Sequence, residues 1–583
     1  MRGRSIAAGL ALALAVTACS TASGVSTERV DEIPADGQTP GPADTSPGSN
    51  GGTIDWAPCD DVADAGPGIE CGTLEVPLEY GNPANGSIEL AVARVATAND
   101  DERIGSLVFN PGGPGASGID FLQIAALIVP PELSSRFDLV SFDPRGVGAS
   151  TAVECDVPLD DEITVLDEGD DATWAELVAE AESLPSTCTS RTTEIAARVG
   201  TNNAARDLDE LRAALGDDDL NYVGFSYGTR LGATYAHLFP DRVRALVLDG
   251  AVKPTNDVTE LDAEQGASLD RAFEAFATEC DGDEDCALRE VGPTLAVYDR
   301  LRTDVADAGS FATDDGRKLT PGELQLAVIA ALYNTQLWSI LADGLYDAAT
   351  AQDGSLLQVL VDVYVGRQPD GTYDNSQLAG FMVNCADDGV RPPVEVVRRD
   401  AEAVASQSTY FDDFLRASTG CIGAPLPVDP IIIGAAPGAP PILVIGTTGD
   451  PATPYEWSVE LADYLASAEL YTVEADGHTA FLTVPCVESV VVDYLVDLVM
   501  PASGSSCSDD PTTDVFLPVG ESEFDQLIGF FDCLRDNGAD IPEVDVGDLL
   551  ADPSGEIVLD YIDPTDPAFG AALFSCEEFI PGS

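Results

Sequence analysis

Histidine occurs twice in this chain of 583 residues, and lysine only as Lys253 and Lys318. With so few imidazoles, and no Cys-x-x-Cys pair, a zinc site has little to be built from. Neither a metal nor a cofactor is expected. Basic residues are scarce beside acids: 27 Lys plus Arg face 102 Asp plus Glu, a formal net charge of −75. That balance lacks the basic surface nucleic acid requires and offers nothing to anionic lipid. The acids are spread along the whole chain. Such a surface suits strong salt, where the screening length shrinks to about 3 Å at 1 M, or simply an acidic secreted protein. Beyond the first residues no run of eighteen apolar residues occurs, so no transmembrane helix is expected. No internal repeat is present.

What is there begins with a targeting segment. Arg2 and Arg4 precede an apolar stretch, Ile6–Val16, too short to span a bilayer. It ends in Val16-Thr17-Ala18-Cys19, which resembles the lipobox of bacterial lipoproteins. Residues 1–19 are therefore read as a signal peptide and Cys19 as a lipidation site. The expected location is the outer face of a bacterial cell membrane, reached through that lipid anchor. Export implies an oxidising compartment. Of 13 cysteines, removing Cys19 leaves an even twelve, in close sequential pairs. Nearest-neighbour bonding gives Cys59–Cys71, Cys155–Cys188, Cys280–Cys286, Cys385–Cys421, Cys486–Cys507 and Cys533–Cys576.

Residues 20–54 are rich in Ser, Thr, Gly, Pro and Asp, a composition that cannot bury a core and reads as a tether. Strand patterns follow at Thr73–Pro77, Ser87–Val95, Gly105–Asn110, Asp138–Asp143, Asn221–Phe225, Arg244–Asp249, Ile442–Gly446 and Glu469–Glu474. The later ones are continuous apolar runs, as in strands buried on both faces of a parallel sheet. Helical patterns such as Asn203–Leu215 and Glu488–Val499 fill the gaps, which implies an α/β sheet. The rhythm breaks between Asp249 and Ile442, where the pattern is mostly helical, Pro321–Leu341 for example. The expected organisation is a first core part at 55–254, a helical lid at 255–438, a second core part at 439–508 and a small cysteine-paired module at 512–583. That module includes an amphipathic helix, Phe524–Leu534.

Gly224-Phe225-Ser226-Tyr227-Gly228 matches G-x-S-x-G. The pattern alone is weak in a glycine-rich chain. Here, however, an apolar run precedes it and a helical stretch, Arg230–Phe239, follows, which is the setting of a nucleophile elbow. A serine nucleophile needs a base. His237 lies along that following helix, roughly 16 Å from the elbow at about 1.5 Å per residue, so His478 remains. Asp450 follows the strand pattern Ile442–Gly446 and supplies the acid; Asp249, also at a strand end, is the alternative. Chain order Ser226, Asp450, His478 is that of α/β-hydrolases. Oxyanion donors are expected from the N–H of Tyr227 and from the Asn110–Gly115 loop, with Gly113 the candidate.

The stretches Asn110–Gly118, Phe142–Gly146, Ala204–Leu208, Gly224–Thr229, Leu248–Gly250 and Gly449–Pro454 together resemble the secreted tripeptidyl aminopeptidases of actinobacteria. These belong to the prolyl-aminopeptidase group of α/β-hydrolases. The likeness covers roughly residues 55–510. It implies the α/β-hydrolase fold with a large helical lid, peptide substrates, and removal of tripeptides from N-termini through an acyl-enzyme. It also implies the same triad and oxyanion pair. Asn110 stands where prolyl aminopeptidases have histidine, which favours the tripeptidyl branch. The tail, marked by Cys533–Gly538, resembles small cysteine-paired modules of actinobacterial lipoproteins. An exopeptidase must also hold the substrate's α-ammonium group, and Asp387 and Asp388 are the candidates. Two other readings stay open: an esterase or amidase of the same fold, and a lipid-anchored binding protein on a hydrolase scaffold. Epoxide hydrolase and dehalogenase chemistry is disfavoured, because position 226 is serine rather than aspartate.

Overall fold

The computed structural model describes residues 52–59, 68–156, 165–166, 168–255, 257–368 and 370–508. The expected leader with Cys19, most of the expected 20–54 tether, and the expected 512–583 module with its Cys533–Cys576 pair and Phe524–Leu534 helix lie outside these residues.

One sheet organises the chain. Its strands are β1 (Ala57–Pro58), β2 (Ile69–Pro77), β3 (Ser87–Val95), β4 (Gly105–Asn110), β5 (Phe137–Phe142), β6 (Leu220–Phe225), β7 (Val243–Asp249), β8 (Ile442–Gly449), β9 (Ala468–Asp476) and β10 (Ser506–Ser508). Their spatial order is β1-β2-β3-β5-β4-β6-β7-β8-β9-β10. The first three pair antiparallel, and β3 meets β5 antiparallel. From β5 onward every pairing is parallel. All residues of β4 and β6 are buried, which is why they read as mostly apolar runs, with Ser106, Asn110 and Asn221 as buried polar members. The eight strands legible in the sequence all form. The two others, β1 and β10, are edge strands of 2 and 3 residues, too short to leave a pattern.

Along the chain the principal helices are α1 (Gly118–Ile128), α2 (Thr201–Leu215), α3 (Tyr227–Leu238), α4 (Val258–Gly282), α5 (Pro321–Leu332), α6 (Trp338–Ala351), α7 (Ser355–Val365), α8 (Ser376–Asp387), α9 (Tyr455–Tyr464) and α10 (Pro485–Asp497). Ile119 and Leu122 of α1, with Val487 and Val491 of α10, pack with Phe109, Val247 and Ile445. Leu208, Leu231, Tyr235 and Leu461 of α2, α3 and α9 pack with Val108, Tyr222 and Leu248. Alternate residues of each strand feed these two cores, so both faces of the sheet are dry. Beneath them Arg145 forms a fully buried pair with Asp207, donating through Nε (2.6 Å) and Nη2, and Tyr80 donates to the same carboxylate.

Between β7 and β8 the chain builds α4 to α7 around a separate core that includes Phe273, Phe276, Tyr298, Trp338 and Phe411, whereas Leu378, Met382 and Val383 of α8 pack into the core of the sheet. The helical pattern over Pro321–Leu341 is carried by two helices, α5 and the start of α6, with a break between them. Asn334 Oδ1 accepts the Gln336 N–H (3.0 Å), a local bond that competes with helix continuation. Five disulfides join Cys59–Cys71, Cys155–Cys188, Cys280–Cys286, Cys385–Cys421 and Cys486–Cys507. No cysteine among the described residues is free.

Candidate active site

Ser226 sits between β6 and α3 with φ 52° and ψ −123°. A non-glycine residue there is strained, and such strain persists only where the surroundings fix it. They do. Ser226 N donates to Asp249 O (2.9 Å), and Thr229 N and Oγ1 donate to Ser226 O (2.9 and 2.6 Å). A Cβ at Gly224 would lie 2.4 Å from Gly228 O, so the turn closes only with the small residues of G-x-S-x-G.

The Asn110–Gly115 loop packs directly on this elbow. A Cβ at Gly112 would meet Ser226 Cβ at 2.9 Å and Tyr227 N at 3.2 Å. Asn110 Oδ1 accepts the Gly112 N–H (3.2 Å) and shapes the turn. Gly113 and Tyr227 line one cavity with Ser226. The Gly113 N–H has no protein acceptor among the described residues, and the first N–H groups of a helix have no intrahelical partner. Two backbone donors therefore stand at the cavity that Ser226 lines.

Asp450 follows β8, and His478 follows β9. His478 Nδ1 is 2.9 Å from both oxygens of Asp450. An ionised carboxylate only accepts, so Nδ1 carries the proton and Nε2 is left as the basic nitrogen. Asp450 is fully buried and held from all sides. It accepts from Ala452 N (2.9 Å), Thr453 N (2.8 Å) and Thr453 Oγ1 (3.0 Å). Asp249 does not touch the imidazole; its Oδ2 accepts from Ala480 N (2.9 Å) and Phe481 N (2.7 Å), in the loop that carries His478. Burial pushes Asp249 up to about 6. Burial also opposes charge on His478, but Asp450 and then Asp249 outweigh it and hold the imidazole above its ordinary value. No hydrogen bond joins Ser226 Oγ to His478 among the described residues; in many enzymes this contact tightens only around the substrate. His237 lies away from these groups, with its ring packed against Gly434.

The cavity above Ser226 is lined in large part by the insertion and is acidic. Asp262 of α4 and Asp387 and Asp388 at the end of α8 line it, against one arginine, Arg230. Asp387 accepts both the N–H and the hydroxyl of Thr201 (2.6 Å each), and Thr201 Oγ1 also meets Tyr227 OH at 2.6 Å. Asp388 accepts from Val390 N (2.9 Å), and Arg391 approaches its other oxygen only to 3.9 Å. Asp262 is 3% exposed and has no cationic partner among the described residues. Burial, then Asp257, raises its carboxyl well above the usual range. Sequence reasoning did not single out Asp262, because one acid among 102 carries no signal. Thr453 and Tyr333 were missed as well. The Gly449–Pro454 block contained Thr453; nothing in the sequence marked Tyr333.

A strained serine before a helix, a histidine backed by a buried carboxylate, and free backbone donors at the carboxyl edge of a parallel sheet define a serine hydrolase. The chain belongs to the alpha/beta hydrolase fold family, whose model matches residues 105–485. Among its relatives is the serine protease Hip1 of Mycobacterium tuberculosis, 36% identical over 483 residues, covering 78% of this chain and 91% of that protein. Carboxylesterase B of the same species is 34% identical over 497 residues, covering 82% and 93%. Tripeptidyl aminopeptidase of Streptomyces coelicolor is 31% identical over 483 residues, covering 79% and 86%.

Proposed function

We propose that this serine hydrolase is an exopeptidase that releases tripeptides from free N-termini. Ser226 Oγ attacks the scissile carbonyl while His478 Nε2 takes its proton. Asp450 holds the imidazole and stabilises its cation. The N–H groups of Gly113 and Tyr227 receive the developing oxyanion. The proton passes to the departing amine, and water then releases the acyl group from Ser226 by the same steps in reverse. The triad serves esters and amides alike, so it does not choose the substrate. The acidic cavity does. Three carboxylates against one arginine beside the nucleophile, one of them without a partner cation, favour a ligand that brings a positive charge. The α-ammonium of a peptide supplies it, and a buried carboxylate gains most from such a partner. Asp262 is the better anchor, with Asp388 lining the same cavity, since Asp387 is committed to Thr201. The names of the protease and tripeptidyl aminopeptidase relatives support peptide substrates. Peptides with free and acetylated N-termini test the reading. Release of tripeptides from free termini alone is expected, and equal cleavage of blocked peptides would favour the esterase or endopeptidase alternative.

We also propose that the chain is exported and anchored through lipid on Cys19. The five disulfides support an oxidising compartment. Detergent-phase partitioning that survives in Cys19→Ala would count against the anchor.

A further inference from the structure

The imidazole of His478 is held from two directions, and only one of them belongs to the core. Asp450 grips Nδ1 from β8. On another side stands Tyr333, the residue after α5 in the insertion. Its carbonyl accepts the His478 N–H at 2.8 Å. Its ring meets the imidazole edge-on, with centroids 5.1 Å apart and planes at 78°. The helix break explains why that carbonyl is free. The last carbonyls of a helix lack intrahelical donors, and α5 stops one residue before Tyr333. The receiving loop depends on outside contacts: Gly477 has φ 102° and Thr479 φ 65°, and a non-glycine residue in that region needs its surroundings to hold it. Tyr333 is itself braced. The Tyr364 ring of α7 meets it edge-on at 5.7 Å, and Gln377 of α8 donates to Tyr364 O (2.8 Å). It also lines the cavity that Ser226 faces.

We propose that Tyr333 is a positioning residue for the catalytic base, so that the insertion completes the catalytic apparatus as well as covering it. Burial, then Tyr364 and Asp450, hold the Tyr333 phenol well above its ordinary range. It stays neutral and acts by place, not by proton transfer. The proposal rests on His478 being the base but not on any peptide specificity, so its test uses small non-peptide reagents.

Tyr333→Phe, which keeps ring and carbonyl, should label with a fluorophosphonate at the wild-type rate and keep kcat on p-nitrophenyl acetate. Tyr333→Leu keeps the carbonyl but removes the ring. It should lose about tenfold in labelling rate and in kcat, the weight of one edge-on aromatic contact. KM for this small ester should hold. With two histidines in the chain, a histidine-labelled sample gives two imidazole signals. Only that of His478 should move in Tyr333→Leu. A folded Tyr333→Leu that labels at the wild-type rate overturns the proposal. If that variant does not fold, Tyr333→Met is read by the same criteria. His478→Ala is the control: labelling that survives in it would refute the base itself and leave Tyr333 nothing to position.

Discussion

Replacing Asp450 by asparagine separates orientation from charge. The amide nearly preserves the carboxylate's shape and can still accept from Ala452 N and Thr453 N. It cannot stabilise an imidazolium. With Nδ1 at 2.9 Å from both oxygens, the two charge centres lie about 4 Å apart. At the effective dielectric constant of about 20 that suits protein sites, their attraction is about 4 kcal/mol. An imidazolium forms as Ser226 attacks, so the loss falls on the transition state and should reduce kcat by about three powers of ten. The pH profile should move as well. His478 must be neutral to accept the serine proton, and Asp450 holds its pKa above the ordinary histidine value. In the native enzyme kcat/KM should therefore fall as pH drops through a value above about 6.5; in Asp450→Asn that limb should move to lower pH. Steady-state kinetics on one small ester across pH 4–9 measures both effects, with Asp249→Asn in parallel. Activity in Asp450→Asn within tenfold of native, or a larger loss in Asp249→Asn, would refute the assignment.

Three further outcomes follow from other sites. Asp207→Asn leaves Arg145 buried beside a neutral partner and should destabilise the fold by about 3–5 kcal/mol in urea titrations, whereas Arg145→Met with Asp207→Leu should cost less than either single change. Asp262→Asn should raise KM at least tenfold for peptides with free N-termini and leave acetylated peptides and small esters unchanged; a uniform rise would make Asp262 structural. Raising NaCl from 0.05 to 1 M should increase the melting temperature, because a net charge of −75 repels itself; a flat or falling response would end the saline reading of the composition.

The sheet was legible because its inner strands are buried on both faces and so are mostly apolar. Val243–Asp249 and Ile442–Gly449 announce themselves in this way. The His–Asp pair was legible through scarcity: with one of two histidines out of reach, His478 had no competitor. Abundance had the opposite effect on the acids. Asp262 matters through what does not face it, and the absence of a cation is a property of three dimensions. Asp387 looked available until Thr201, 186 residues away in sequence, was seen to occupy it. Tyr333 was hidden for a related reason. Its role begins where a helix stops, and the apolar periodicity of Pro321–Leu341 runs through that stop unchanged.

Lys253 is 2% exposed and held by Glu260 and Glu264 at 2.7 and 2.8 Å. Burial works against its charge, but those carboxylates prevail and keep the amine protonated. Lys318, the second lysine, is exposed on the insertion. Amine-directed coupling to a resin, fluorophore or electrode should therefore attach the folded protein through one side chain, apart from the α-amine, and give oriented layers without engineered residues.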